Sequence, residues 1–178
     1  MARLGASAAE LGFAFNSHDA RNELHAATFR LFGQSLLRLR LSPTGRIAIE
    51  ARALPTTPDE PVTVRIVPLP VDPADCRLAH KTSDRGFYQE ALRAGGTFEV
   101  LFARSDGRLT EGSFTNLFVG ANRPLTTPPL ADRLMPGVLR AELLDTGEAV
   151  EGPITARDLA GGFFIGNSVR GLIAARLA

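Results

Sequence analysis

The stretch that decides the reading is Thr110-Glu111-Gly112-Ser113-Phe114-Thr115-Asn116-Leu117-Phe118. A carboxylate is followed by a glycine and a short polar run, and the chain then turns apolar with strand character. Just upstream, Ser105-Asp106-Gly107 supplies the positive φ angles a tight hairpin requires. Residues 98–103 and the chain from Leu109 onward are therefore expected as its strands, with Asn116–Val119 continuing the sheet. Taken alone, Glu111 reads as a strand-end glutamate paired with an arginine.

A second unusual segment precedes it, Ala79-His80-Lys81-Thr82-Ser83-Asp84-Arg85. The chain contains 19 arginines and a single lysine, Lys81. A GC-rich coding sequence accounts for most of that bias, but not for the survivor. Arginine forms no imine and stays protonated, whereas a desolvated lysine amine can act as nucleophile or base. The third segment is Met135-Pro136-Gly137-Val138-Leu139-Arg140. A helix entered through Pro136-Gly137 leaves the amides of Val138 and Leu139 at the positive end of a helix dipole, where a phosphate is well received.

Elsewhere the pattern is that of a small globular protein. With 178 residues, 44% of them hydrophobic and 22% charged, there is material for one domain or two small ones and for a real core. A formal charge of +1 gives no electrostatic reason to expect nucleic acid or an anionic membrane. No apolar run approaches the roughly 20 residues that span a bilayer. The single cysteine, Cys76, makes no internal disulfide and belongs to no zinc-ligand spacing. A cytoplasmic protein with a small-molecule substrate is expected.

Leu4, Ala8 and Leu11 predict a helix that stops at Gly12, and a second is expected from an N-cap at Asp19 through Leu24, Ala27 and Leu31 to Gly33. Leu37, Leu39 and Leu41 alternate with Arg38 and Arg40 before Pro43-Thr44-Gly45 turns the chain into Ile47-Ala48-Ile49, a half-exposed hairpin. Three prolines within 55–61 mark an interdomain connection, dividing the chain into domains 1–57 and 58–178. Beyond it, residues 62–67 read as a strand and 83–93 as a helix. Pro136 suits the first position of a further helix, Thr155 with Asp158 forms a capping pattern, and Phe163-Phe164-Ile165 reads as a buried strand ending at Gly166-Asn167-Ser168.

The order and spacing of the three unusual segments resemble the class IV aminotransferases, the fold type IV enzymes that use pyridoxal 5′-phosphate. The block Glu-Gly-x-x-x-Asn-Leu-Phe carries most of that resemblance, supported by Thr-Pro-Pro-Leu and Pro-Gly-Val-Leu-Arg. It implies an α/β (α+β) chain of the D-amino acid aminotransferase-like fold. A small α+β domain lacking its usual first strands would precede a larger, β-rich pseudo-barrel domain. It also implies that Lys81 holds the cofactor's aldehyde as a Schiff base while Glu111 hydrogen-bonds the pyridine nitrogen and keeps it protonated. Arg3 matches the phosphate-clamping arginine, Met135 the apolar residue packed on the ring, and Ser168, beside Asn167, the phosphate-binding hydroxyl. His80 has no fixed role, and Tyr88, the only tyrosine, is expected to be packing. A homodimer is implied as well.

Within the family, His-Lys-Thr-Ser-Asp-Arg and Gly-Asn-Ser-Val-Arg-Gly-Leu-Ile-Ala-Ala-Arg-Leu are most similar to the lyases acting on 4-amino-4-deoxychorismate. Ile173-Ala174 stands where a transaminase-like ending carries a threonine-proline pair. The resemblance then implies release of pyruvate and formation of 4-aminobenzoate, a folate precursor, with Arg170 meeting a substrate carboxylate. An aminotransferase for branched-chain or D-amino acids is the alternative. The matching segment begins at Arg3, later than the family pattern, so the lyase proton donor has no counterpart among these residues. An inactive cofactor-binding fragment is the third expectation.

Overall fold

The computed structural model describes every residue except Thr57, which falls within the expected interdomain connection, so that part of the connection lies outside the described residues. The chain forms two compact units, Met1–Thr56 and Thr57–Ala178.

The first unit holds helices α1 (Ala2–Glu10) and α2 (Ser17–Thr28) and an antiparallel hairpin of β1 (Ser35–Leu41) and β2 (Ile47–Ala53). The leucine alternation sets the hairpin register, with Leu37 opposite Ala51, Leu39 opposite Ile49 and Leu41 opposite Ile47. Helix α2 starts earlier than the Asp19 cap predicts. The Asn16 side chain accepts the amides of His18 at 2.9 Å and Asp19 at 3.4 Å, so Asn16 is the cap and Asp19 lies in the first turn. The helix also ends at Thr28 rather than near Gly33.

The second unit is organised by a sheet that closes on itself. Its strands are β3 (Val62–Pro68), β4 (Glu99–Ala103), β5 (Leu109–Gly112), β6 (Asn116–Val119), β7 (Leu125–Thr127), β8 (Ala149–Glu151), β9 (Phe163–Asn167) and β10 (Gly171–Leu177). They lie in the order β5-β4-β3-β10-β9-β6-β7-β8, and β5 also pairs with β6. Six strands thus form a closed ring, with β7 and β8 extending it outside. The closing pair is Glu111 opposite Asn116, backed by the Gly112 amide donating to the Thr115 carbonyl at 2.8 Å. Strand β10 runs parallel to β3 and antiparallel to β9.

Side chains alternate across this wall. Val64, Leu101, Leu109, Leu117, Ile165 and Ile173 belong to the cluster that fills the ring. From the same strands, Val100 and Phe102 turn outward against Leu78 of α3 (Cys76–Ala79) and Tyr88 of α4 (Gly86–Gly95). Phe118 packs beneath Leu143 of α5 (Val138–Asp145). Both faces of β4 are therefore covered, which is why its sequence reads as a nearly unbroken apolar run. Helix α4 begins at Gly86 instead of Ser83, with Arg85 as its cap residue. Helix α5 begins at Val138 behind an extended Gly137, so Pro136 lies before the cap rather than at the first helical position. The Thr155–Asp158 capping box forms as expected and opens a 3-10 turn over Ala156–Gly161.

Candidate active site

Glu111 sits at the ring closure, 3% exposed. One carboxylate oxygen, Oε1, accepts the Tyr88 hydroxyl at 2.5 Å, and the other accepts the Met135 amide at 3.0 Å. Burial pushes its pKa up from 4.5 to about 7. The Tyr88 hydrogen bond, the Arg85 charge, the Met135 amide and the Lys81 charge oppose that rise. Burial likewise drives the Tyr88 hydroxyl above its ordinary value, with the neighbouring Glu111 charge adding to it. Tyr88 is thus more than packing: its hydroxyl is spent on the one carboxylate the sequence singles out.

Asn116, opposite Glu111, donates from Nδ2 to the Met135 carbonyl at 3.1 Å. Met135 is accordingly held through both of its backbone polar groups, by Glu111 and by Asn116, and its side chain is buried. Two residues later a Cβ on Gly137 would stand 1.8 Å from Asn116 Oδ1. Only glycine fits that approach, and it brings the start of α5 against the closing strands. Among the described residues no side chain caps α5, so the amides of Val138 and Leu139 present the positive end of its dipole. The Leu139 side chain packs over Gly166, where a Cβ would approach Leu139 Cδ2 to 2.9 Å. That contact joins the start of α5 to the end of β9.

Asn167 turns the chain from β9 into β10. Its Oδ1 accepts the amides of Val169 at 3.0 Å and Arg170 at 3.1 Å, and its Nδ2 donates to the Phe114 carbonyl at 3.1 Å. Ser168 and Val138 are exposed. The Arg170 guanidinium lies 5.7 Å from the centre of the Phe98 ring, which meets Phe114 edge-on. Lys81 is exposed on the segment between α3 and α4, and its charge acts on Glu111. His80, beside it, is buried. Arg3 stands half-buried on α1, in the other compact unit.

One residue carries a structural load that the sequence conceals. Glu99 is fully buried, and its carboxylate accepts the amides of Val100 (2.9 Å), Ser113 (2.9 Å) and Phe114 (3.0 Å) together with the hydroxyls of Ser113 (2.5 Å) and Thr115 (2.9 Å). It fixes the turn between Glu111 and Asn116 from beneath. A Cβ on Gly112 would meet Glu99 Oε2 at 2.6 Å, so glycine is required there as well. Burial raises the Glu99 pKa, opposed by the Ser113 hydroxyl, the Phe114 and Val100 amides and the Thr115 hydroxyl. Arg140 is also structural: buried in α5, it donates to the Pro128 carbonyl at 2.8 Å and pairs with Glu151.

Glu111 brings a buried carboxylate with cationic neighbours, α5 an uncapped start and Gly137 an approach that only glycine fits. The chain belongs to the class IV aminotransferase family, whose model matches residues 1–177. Enzymes of this family use pyridoxal phosphate, and the residues just described fit it.

Among solved structures, a protein from Mesorhizobium loti, provisionally assigned as an amino-acid aminotransferase, is 38% identical with a TM-score of 0.89, over 99% of this chain and 89% of that one. A provisionally assigned 4-amino-4-deoxychorismate lyase from Legionella pneumophila is 22% identical with a TM-score of 0.79, over 98% of this chain and 74% of that one. A hypothetical aminotransferase from Mycobacterium tuberculosis, solved with α-ketoglutarate and PMP bound, is 20% identical with a TM-score of 0.84, over 98% and 73% of the two chains. The last two show the fold alone. No curated protein matches.

Proposed function

We propose that this pyridoxal-phosphate enzyme is a 4-amino-4-deoxychorismate lyase, releasing pyruvate and forming 4-aminobenzoate. The observation that carries the lyase reading is the β9–β10 ending. Ile173 is buried in the ring, and the Ala174 amide donates to Glu60 Oε2 at 2.8 Å. A proline at 174, as in the transaminase-like ending, would lose that bond. Local structure at this edge is thus built around the lyase-like sequence.

When bound, the cofactor supplies an electron sink for the carbon bearing the substrate amine. Glu111 gives the ring nitrogen a carboxylate that two donors already orient. The Val138 and Leu139 amides, with Ser168 and Asn167 on the adjoining turn, offer donors to the phosphate. Met135 presents an apolar wall. Lys81 Nζ, the only side-chain primary amine, is the group to hold the aldehyde and, once released, to take the proton from the amine-bearing carbon. Arg170 is a candidate for a substrate carboxylate. A cytoplasmic homodimer completes this reading.

The second reading, an amino-acid aminotransferase, is favoured by the 38% identical Mesorhizobium loti protein. Product analysis separates the two. The lyase yields pyruvate from aminodeoxychorismate with no keto acid added, whereas the aminotransferase turns over only when a keto acid is supplied. An inactive cofactor-binding fragment yields neither. In every case Lys81→Ala abolishes the yellow colour of lysine-bound cofactor, and colour that persists in the variant removes Lys81 from its role.

A further inference from the structure

Resting on the reading of Glu111 as partner of the ring nitrogen, we propose that Tyr88, backed by Arg85, is a positioning residue that keeps Glu111 an oriented carboxylate. The Tyr88 side chain is 2% exposed, and its hydroxyl lies 2.5 Å from Glu111 Oε1. Its ring meets Phe102 edge-on, with centroids 5.2 Å apart and planes at 78°, which fixes the hydroxyl's direction. A phenylalanine would fill this space without a polar atom to satisfy. The hydroxyl donates to the carboxylate, and the Arg85 side chain reaches it as well.

The opposite side of the arrangement is a cation. The Arg85 guanidinium carbon lies 3.9 Å from the centre of the Tyr88 ring. A positive charge on the ring face strengthens the phenolic O–H as a donor. The same guanidinium is anchored by the Arg77 carbonyl at 3.0 Å and the His80 carbonyl at 3.4 Å. His80 directly precedes Lys81, so Arg85 ties the lysine-bearing segment to the Tyr88–Glu111 pair.

The polar groups that face Glu111 come from three places: Tyr88 and Arg85 at the start of α4, the Met135 amide ahead of α5, and Lys81 between α3 and α4. The Met135 amide occupies Oε2, which leaves the Tyr88 hydroxyl as the donor that both orients Oε1 and favours its ionised form.

The test is a carbon-13 NMR titration of the Glu111 side-chain carboxyl in the full-length chain, with the cofactor removed and with it bound. Tyr88→Phe is expected to raise the midpoint of the cofactor-free protein by about one pH unit or more, a tenfold change in the ionisation constant. Arg85→Gln should move it in the same direction by less. A midpoint that Tyr88→Phe leaves in place, or lowers, overturns the proposal. If Tyr88→Phe does not fold, Arg85→Gln decides, and an unmoved or lowered midpoint overturns it. The cofactor-bound wild type tests the underlying reading separately. A Glu111 resonance indifferent to the cofactor, beside a midpoint that Tyr88→Phe still raises, removes Glu111 from the ring nitrogen and leaves the coupling to Tyr88 standing.

Discussion

Replacing Glu111 by glutamine should make the cofactor-free protein more stable at alkaline pH and leave it nearly unchanged in mild acid. The folded pKa of Glu111, about 7, lies above its ordinary 4.5 because burial penalises the charge. A group raised in this way contributes stability that is fully present below about 4.5 and is lost as pH rises through about 7, because the folded state then gives up a proton it held more tightly than the unfolded chain. That gap amounts to about 3 kcal/mol at pH 8.5. Glutamine carries no charge and keeps both contacts. Its amide oxygen takes the Met135 N–H, and its amide nitrogen donates to the Tyr88 hydroxyl oxygen. The two proteins should agree to within about 1 kcal/mol at pH 5 and diverge by about 3 kcal/mol at pH 8.5, a rise of about 6–12 °C in the variant's melting temperature. Thermal unfolding at the two pH values, followed by circular dichroism on cofactor-free protein, measures it. A constant difference across pH, or a variant that is less stable at pH 8.5, would refute the reasoning.

Glu99→Ala strands five donors beneath the turn and should cost at least about 3 kcal/mol in urea unfolding, with Glu99→Gln recovering part of the loss. Gly137→Ala drives a methyl into Asn116 Oδ1, displaces the Asn116–Met135 bond and should weaken cofactor binding about tenfold or more, read by fluorescence titration.

What the sequence discloses is local chemistry. Asp106-Gly107, the leucine alternation of β1 and the Thr155–Asp158 box each act within a few residues, and each appears in the structure where the pattern puts it. Lys81 and Glu111 stand out for a related reason, since an isolated lysine and a glycine-flanked carboxylate are visible without any neighbours. Glu99 and Tyr88 are different. Glu99 finds its donors up to 16 residues later, and Tyr88 meets Glu111 across 23 residues. Neither distance leaves a periodic trace. Strand β10 is missed because its Ala-Ala-Arg-Leu run has no strand signature; it pairs with β9 just before it and, in parallel, with β3 more than 100 residues earlier. The Asp19 cap loses to Asn16 because two acceptable capping residues lie three positions apart, and only the path of the preceding chain chooses between them.

The pairing of Glu111 with Asn116 joins the two ends of the six-stranded ring, so the acid cannot fluctuate independently of the scaffold. Opening the barrel wall here would displace the acid with it, and amide hydrogens at 111–116 should exchange only through near-global unfolding. Evolutionary retuning of substrate preference is therefore confined to loops that leave this latch shut.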